Sequence, residues 1–242
     1  MEHFESSDRH EAREDFDQLE LERFRLEQHG FTDQSYEPYF AGLVASDGHV
    51  EGGSNRTVVA SSNPEFVTGI IGPVAEQQRL GYSVFWDSEA SVYKLNINDY
   101  ELYGTLTTKY NIPPGKKAAI IEPPDNLNRD EELWFIRGWF DGDGWVEEMT
   151  KHMDDKDYTY PRVGLKSMSE DARNWIAERL SDANIRVSKY DREDESHGLW
   201  INGYAECEKF DTLVGFRHPE QHRKLQELLT RHRSSDLARG SG

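Results

Sequence analysis

Two aspartates carry the strongest chemical signal in this chain. Asp47 ends the stretch Phe40-Ala41-Gly42-Leu43-Val44-Ala45-Ser46-Asp47-Gly48. Asp143, ninety-six positions later, ends Ile136-Arg137-Gly138-Trp139-Phe140-Asp141-Gly142-Asp143-Gly144. Both stretches read as an apolar helix that stops on Asp-Gly and runs into a polar strand. A helix C-terminus carries partial negative charge, so a carboxylate there is disfavoured. Two carboxylates converging on such a place also shift each other's pKa. A bound divalent cation removes the conflict, and an all-oxygen donor set suits Mg²⁺ or Ca²⁺. One Asp-Gly is a plain helix stop; two in the same context form a pattern. Gly48 and Gly144 are expected in the left-handed position that follows a helix end.

Something must bring the two aspartates together. Each stretch has small residues four apart, Gly42/Ser46 and Gly138/Gly142, which share one helix face. Glycine in mid-helix costs about 1 kcal/mol relative to alanine, and close approach of two backbones is the natural offset. The two helices are therefore expected to pack through these faces, with Asp47 and Asp143 at the ends of the pair.

The paired stretches resemble the signature of the LAGLIDADG homing endonucleases, in the single-chain form with two motifs. Asp47 and Asp143 match the motif's second acidic position, the family's metal ligand. The first copy departs from the motif at Ala45, where the second keeps Asp141. The resemblance implies hydrolysis of both strands of a long DNA duplex. Mg²⁺ or Mn²⁺ would be held at Asp47 and Asp143 and at the adjoining Gly48 and Gly144, with Ca²⁺ as a non-cleaving substitute. It also implies a basic residue near each attacking water. Lys117 matches that residue in the first half, and the repeat offset of 104 lands on Gln221 in the second. Glutamine can orient a water but cannot transfer a proton, so nicking or slow cleavage of one strand is expected.

The elements around the motifs repeat. After each Asp-Gly the pattern reads strand, strand, helix, strand, strand, helix. Ile97-Asn98-Asp99-Tyr100 recurs as Ile201-Asn202-Gly203-Tyr204 at an offset of 104. The fold class is thus α+β, a duplicated αββαββα. In the family this makes two antiparallel four-stranded sheets, forming a saddle, with the motif helices packed at the centre. Boundaries fall at an acidic extension 1–35, a first half 36–121, a linker 122–129, a second half 130–232 and a tail 233–242. The first hairpin spans His49–Glu51 and Thr57–Ser61. Trp145–Met149 and Arg162–Met168 are expected as strands joined by an acidic insert around 154–157, and the last dozen residues as a frayed tail. Val-Gly-Phe-Arg-His-Pro at 214–219 resembles the ends of family domains found inside inteins. No self-splicing block accompanies it, so a free-standing enzyme is expected.

The charge runs against nucleic-acid binding. Ten lysines and eighteen arginines face forty-six acidic residues, for a net charge of −18. Either the protein does not bind DNA, or it works in very high salt, where an acidic surface is adaptive. At ~1 M salt the screening length is about 3 Å, so only charges in direct contact matter. Scarce lysine and dispersed acids favour a halophilic archaeon or its virus. One cysteine, Cys207, excludes an internal disulfide and points to an intracellular protein. No apolar run approaches the ~20 residues that span a membrane.

The scarce basic residues concentrate on the polar strand faces: Arg56, Lys94, Asn96, Arg162, Lys166, Lys189 and Arg192. A two-stranded ribbon fits the major groove, where Arg, Lys and Asn read base edges. These are the expected DNA contacts, with a monomer as the binding unit because one chain carries both halves. Three other readings are weaker. Asp141-Gly142-Asp143-Gly144 fails as a calcium loop at Trp145. His218 and His222 lack a third zinc ligand. Cys207 lacks a catalytic partner. The main alternative is an RNA maturase or a DNA-binding regulator on the same fold, with weak or no cleavage.

Overall fold

The computed structural model describes residue 23 and residues 25–115, 120–153, 156–193 and 195–239, with side chains described as far as 231. The first half runs α1 (Tyr36–Ala45), β1 (Gly48–Val50), β2 (Arg56–Ser61) and a helical segment α2, then β3 (Tyr82–Asp87), β4 (Val92–Asn98) and α3 (Tyr100–Thr108). Within α2, a π-helical turn Val67–Ile71 joins Pro64–Phe66 to Gly72–Gln77. The second half runs α4 (Arg129–Asp143), β5 (Gly144–Met153), β6 (Lys156–Ser167), α5 (Glu170–Asp182), β7 (Ser188–Asp191), β8 (His197–Asn202), α6 (Tyr204–Leu213) and α7 (Pro219–Arg239). Each half forms one antiparallel sheet of four strands, and the orders β1-β2-β4-β3 and β5-β6-β8-β7 correspond strand for strand. This is the duplicated α+β architecture.

Local chemistry sets the boundaries. Asn128 opens α4 with a full capping box, its side chain accepting from the N–H groups of Asp130 and Glu131 while Glu131 accepts from the Asn128 N–H. Asp99 caps α3 through the Leu102 N–H at 2.7 Å, and Ser169 caps α5 through that of Ala172 at 3.2 Å. The π turn in α2 precedes Pro73, which has no N–H to return to Gly69; Gly72 instead bonds back to Val67. In β4 the alternation is plain: Leu95 and Ile97 are buried while Lys94 and Asn96 are partly exposed. The corresponding strand β8 buries Leu199 and Ile201. Both sheets set their apolar faces against helices in one continuous core.

Three boundaries differ from expectation. The acidic insert is not a loop on either flank: β5 and β6 pair as far as Met153 opposite Lys156. His152 and Asp157 meet across the hairpin at 2.8 Å, and Tyr158, Thr159 and Tyr160 are strand formers that continue the ladder. At the C-terminus α7 continues to Arg239, no Gly or Pro intervening before Gly240, so the frayed tail is replaced by helix. At the N-terminus the core begins before residue 36. Leu26 and Phe31 are buried, and the Phe31 ring packs on Tyr36, Tyr39 and Trp134.

Candidate active site and sheet faces

The motif helices α1 and α4 meet backbone to backbone. A Cβ on Gly42 would overlap the Phe135 carbonyl, and one on Gly138 would overlap that of Tyr39. One on Gly142 would overlap the Ser46 hydroxyl and reach to 3.2 Å from the Asp47 nitrogen. The Ser46 hydroxyl itself donates back to the carbonyls of Gly42 and Leu43. Two helices that approach this closely must end side by side.

They end at one cleft. It measures about 480 Å³ and is lined by Ala45 and Ser46 from the first motif, by Trp139, Gly142 and Asp143 from the second, and by Trp145 and Lys166 from the second sheet. Asp143 is partly exposed; Asp47 is exposed and stands beside the cleft, next to Gly142, rather than in its lining. Asp143 and the neighbouring Asp47 offer carboxylate oxygens, and no His or Cys lines the cleft among the described residues, a hard donor set that suits Mg²⁺, Mn²⁺ or Ca²⁺ better than zinc. Gly48 and Gly144 do not take the expected left-handed conformation. Gly144 is extended, with φ −91° and ψ 157°, and both residues begin strands. Their reason is space: a Cβ on Gly48 would lie 2.7 Å from the Val44 Cα, and one on Gly144 would overlap the Phe140 carbonyl. The chain turns from helix to strand so sharply that only a hydrogen fits.

Asp141, two residues before Asp143, has a different task. It is 3% exposed and accepts four hydrogen bonds. Tyr39 Oη donates at 2.7 Å, the Arg217 N–H at 2.9 and 3.1 Å, and the His218 N–H at 2.9 Å. Burial pushes its pKa up to about 6, against the lowering effect of those donors and of the Arg217 guanidinium. The carboxylate ties α1, α4 and the 214–219 segment together. Arg137 secures the other end of that segment by donating to the carbonyls of Leu213 and Val214 at the end of α6, while it stacks on Trp134 at 3.8 Å. Burial lowers the Arg137 pKa to about 9.

That segment delivers Gln221. Its Oε1 accepts from the Val146 N–H at 2.9 Å, three residues beyond Asp143. The carbonyl end of the amide is thereby engaged by the main chain of β5. Lys117 lies outside the described residues. The weaker readings lose ground. The His218 ring is packed against Phe66 at 4.6 Å, His222 is exposed, and no cluster of three metal-ligating side chains occurs among the described residues. Cys207 is buried, and burial pushes its thiol up to about 12, far from a nucleophile. A larger cavity of about 770 Å³, between α2 and α7, lies away from both aspartates.

Residues 130–215 match the LAGLIDADG-like domain family. The same strand order, helix order and Asp-Gly terminus recur in the first half. The second half is a LAGLIDADG-like domain, and the first half repeats its architecture. The chain is 22% identical over 179 residues to the homing endonuclease I-ApeI of Aeropyrum pernix, covering 71% of this chain and 76% of that one. It is 33% identical over 141 residues to elongation factor 2 of Methanopyrus kandleri, but this spans only 10% of that protein and 54% of this one. Among solved structures, I-DmoI in complex with DNA and Ca matches with a TM-score of 0.57 at 14% identity, over 81% of this chain and all of that one. Full-length WhiA from Thermatoga maritima matches with a TM-score of 0.56 at 13% identity, over 87% of this chain and 67% of that one.

The two sheets carry the remaining expected residues on their faces away from the helices. Register sorts them. Arg56, Asn96 and Lys94 pair with Asn98, Val58 and Ala60 on the open face of the first sheet, and Lys94 is bridged to Asp87 at 2.6 Å. Arg162 and Lys166 pair with Asn202 and Gly198 on the open face of the second. Arg192 lies over the Tyr190 ring on that same face. Lys189 is a correction. It pairs with the buried Leu199, so it points to the helix side, where its Nζ donates to Asn174 of α5 at 3.0 Å. The strand runs Ser188–Asp191, and Lys189 and Arg192, three residues apart, point to opposite faces.

Sequence reasoning missed an aromatic group on the open face of the second sheet. Trp200 packs edge-to-face with Trp145 at 5.1 Å and stacks on Tyr190 at 4.7 Å. Gly164 and Gly198 make the hollows in which these rings lie, since a Cβ on either would overlap them. The signal was present: glycines in the interior of two paired strands, directly opposite aromatic residues.

Proposed function

We propose that this protein is a divalent-metal-dependent, site-specific endonuclease that cuts both strands of a long DNA duplex. The observation that supports it most is the backbone contact between α1 and α4, which brings the ends of both motifs side by side, with the Asp47 nitrogen 3.2 Å from where a Cβ on Gly142 would stand and Asp143 lining the cleft. A deep pocket is not needed for a polymer substrate; an open face with acids at its centre is. I-DmoI, the structural relative, was solved with DNA and with Mn or Ca.

Asp47 and Asp143, with the main chain at Gly48 and Gly144, would hold the cation. When bound, Mg²⁺ or Mn²⁺ polarises a scissile phosphate, lowers the pKa of water and stabilises the leaving oxygen, whereas Ca²⁺ supports binding without cleavage. Lys117 is the candidate proton-transfer group of one half. In the other, the Gln221 amide NH₂ orients a water without accepting its proton, so the two strands are cut at unequal rates. The open faces carry Arg56, Lys94, Asn96, Arg162, Lys166 and Arg192 toward the duplex. The net charge of −18 fits a halophilic, intracellular setting in which long-range repulsion from DNA is screened. A monomer suffices as the binding unit. Mobility of an intron or intein is the biological role that such cleavage serves.

Gln221, which cannot take a proton, leaves room for one other reading, a DNA-binding regulator on the same fold that does not cut. Cleavage of a randomised supercoiled-plasmid library, with Mg²⁺ in molar KCl and sequencing of the ends, separates the two. Staggered double-strand breaks at one long site support the endonuclease. Nicks confined to one strand locate the weaker half at Gln221. Binding with no cut under the same salt refutes the enzyme and leaves the regulator.

A further inference from the structure

A second constellation is repeated in the two halves. In the first sheet Arg56 at the start of β2 faces Asn98 at the end of β4 and bridges to Glu51. In the second, Arg162 of β6 faces Asn202 at the end of β8 and bridges to Glu147 at 3.4 Å. Each glutamate stands four residues after its motif aspartate, Asp47 or Asp143, so the two clusters lie at matched positions along corresponding strands. All six side chains are exposed or partly exposed on the open faces.

The two arginines are not held equally. Arg162 Nε donates to Asn202 Oδ1 at 2.8 Å, and its guanidinium lies over the Trp200 ring at 4.6 Å. Register puts Arg162 on one side of Trp200 and Tyr190 on the other, because they pair with Asn202 and Gly198, two residues to either side of Trp200. Tyr190 stacks on Trp200 at an interplanar angle of 17°, and Arg192 lies over Tyr190 at 5.7 Å. The result is a stack, Arg192–Tyr190–Trp200–Arg162, whose inner ring faces are already covered. Such a stack has no slot for an unpaired base. It can only fix its two arginines. In the first sheet the position that faces Val58, corresponding to Trp200, is Asn96, so the ring that lies beneath Arg162 has no counterpart at that position beside Arg56.

A guanidinium has five N–H donors. The bonds of Arg162 to Asn202 and Glu147 use Nε and one hydrogen of Nη1, leaving three on the terminal nitrogens for a second acceptor pair. The guanine edge in the major groove, with O6 and N7, is the acceptor pair this fork fits. A phosphate can accept the same fork, but a phosphate contact carries no base preference, so base dependence separates the two.

We propose that Arg56 and Arg162 are a matched pair of guanine readers, Arg56 oriented by Glu51 and Arg162 by Glu147 and Asn202, so that the target carries a guanine at mirror-related positions in its two halves. Trp200 and Tyr190 are positioning residues that make the second reader the more discriminating. The proposal rests on the DNA-binding reading above. Its test uses the full chain, in molar KCl with Ca²⁺, and duplexes selected by wild-type binding. The selected duplexes should share the mirrored guanines. Arg162→Ala should lose roughly tenfold to a hundredfold of affinity for the guanine duplex and little for duplexes altered at that position. Arg56→Ala should do the same at the mirror position, by a smaller factor. Arg162→Lys should keep the salt dependence but lose the base preference, and Trp200→Leu should reduce discrimination at the second guanine alone. Uniform weakening of all duplexes by Arg162→Ala, with a salt slope lower by about one, would make the contact a phosphate contact and overturn the proposal while sparing DNA binding. Failure of the wild type to bind any duplex overturns both.

Discussion

Gly138→Ala is the substitution that bears most directly on how the site is built. Alanine is intrinsically better than glycine in a helix by about 1 kcal/mol, so on propensity alone the variant gains stability. The structure reverses the sign. The new methyl would overlap the Tyr39 carbonyl oxygen and come within 2.9 Å of the Leu43 nitrogen and 3.0 Å of the Tyr39 carbonyl carbon. All three are backbone atoms of α1 and cannot rotate away, so α1 and α4 must part. Overpacking costs about 1–3 kcal/mol, and contacts with rigid backbone belong at the upper end, which leaves a net loss of roughly 2 kcal/mol after the propensity gain. Gly104→Ala in α3 is the control, because a Cβ there meets nothing within 4 Å. It should gain up to about 1 kcal/mol. The same chemical change should therefore differ by roughly 3 kcal/mol between two helices. Urea titrations in molar KCl, read by tryptophan fluorescence and far-UV circular dichroism, measure both. Midpoints for the two variants within about 0.5 kcal/mol of each other would refute the backbone contact as the organising feature. Cleavage by Gly138→Ala should also fall more than its stability loss explains, because parting the helices parts Asp47 from Asp143.

The other predictions concern the site's charges and donors. Asp47→Ala and Asp143→Ala should each abolish cleavage at one strand or both while duplex binding in Ca²⁺ persists; undiminished double-strand cutting by either variant would end the assignment. Asp141 supplies a pH dependence of stability. Its pKa is raised from 3.8 to about 6 on burial, so the folded state holds the proton more tightly. The associated stability is full below about pH 4 and is lost as pH rises through about 6, a swing of about 3 kcal/mol. Asp141→Asn should flatten that span, which is checked by urea midpoints at pH 4.5 and 7. Gln221→Ala removes the acceptor from the Val146 N–H and should cost about 1 kcal/mol, while slowing one strand's cleavage; equal slowing of both strands would speak against a half-specific role.

Much of the fold was legible because it is a repeat. Periodicity and the paired Asp-Gly stretches marked out two helices and eight strands, and Gly42, Ser46, Gly138 and Gly142 pointed to a helix contact because mid-helix glycine has a cost that something must offset. What was not legible depended on phase and space. The same glycines that end the motifs were assigned to the left-handed conformation, a backbone argument, whereas Gly48 and Gly144 are glycine because Val44 and Phe140 leave no room for a Cβ. Lys189 was assigned to the same face as Arg192, yet residues three apart on an extended chain point to opposite faces, and charge alone did not tell which of the two faced outward. Asp141 looked like an unused member of the motif; its role depends on the Arg217 and His218 N–H groups, seventy-six and seventy-seven residues away, which no local pattern reveals.

The departure of Ala45 from the motif acquires a physical reading from that same network. At the repeat offset of 104, Arg217 and His218 correspond to Pro113 and Pro114. Proline has no N–H, so an aspartate at position 45 would lack the two backbone donors that hold Asp141 in place. A buried carboxylate without donors costs several kcal/mol, and alanine, which is 3% exposed here, avoids that cost. The two halves thus keep the aspartate that faces the cleft in both copies and keep the buried one only where the following segment can satisfy it. That division separates chemistry from scaffolding. Restoring the motif by Ala45→Asp should therefore destabilise the first half, and Ala45→Asp combined with Pro113→Arg and Pro114→His should recover part of the loss. A destabilised single variant that the proline replacements do not improve would show that the loss at position 45 has another source.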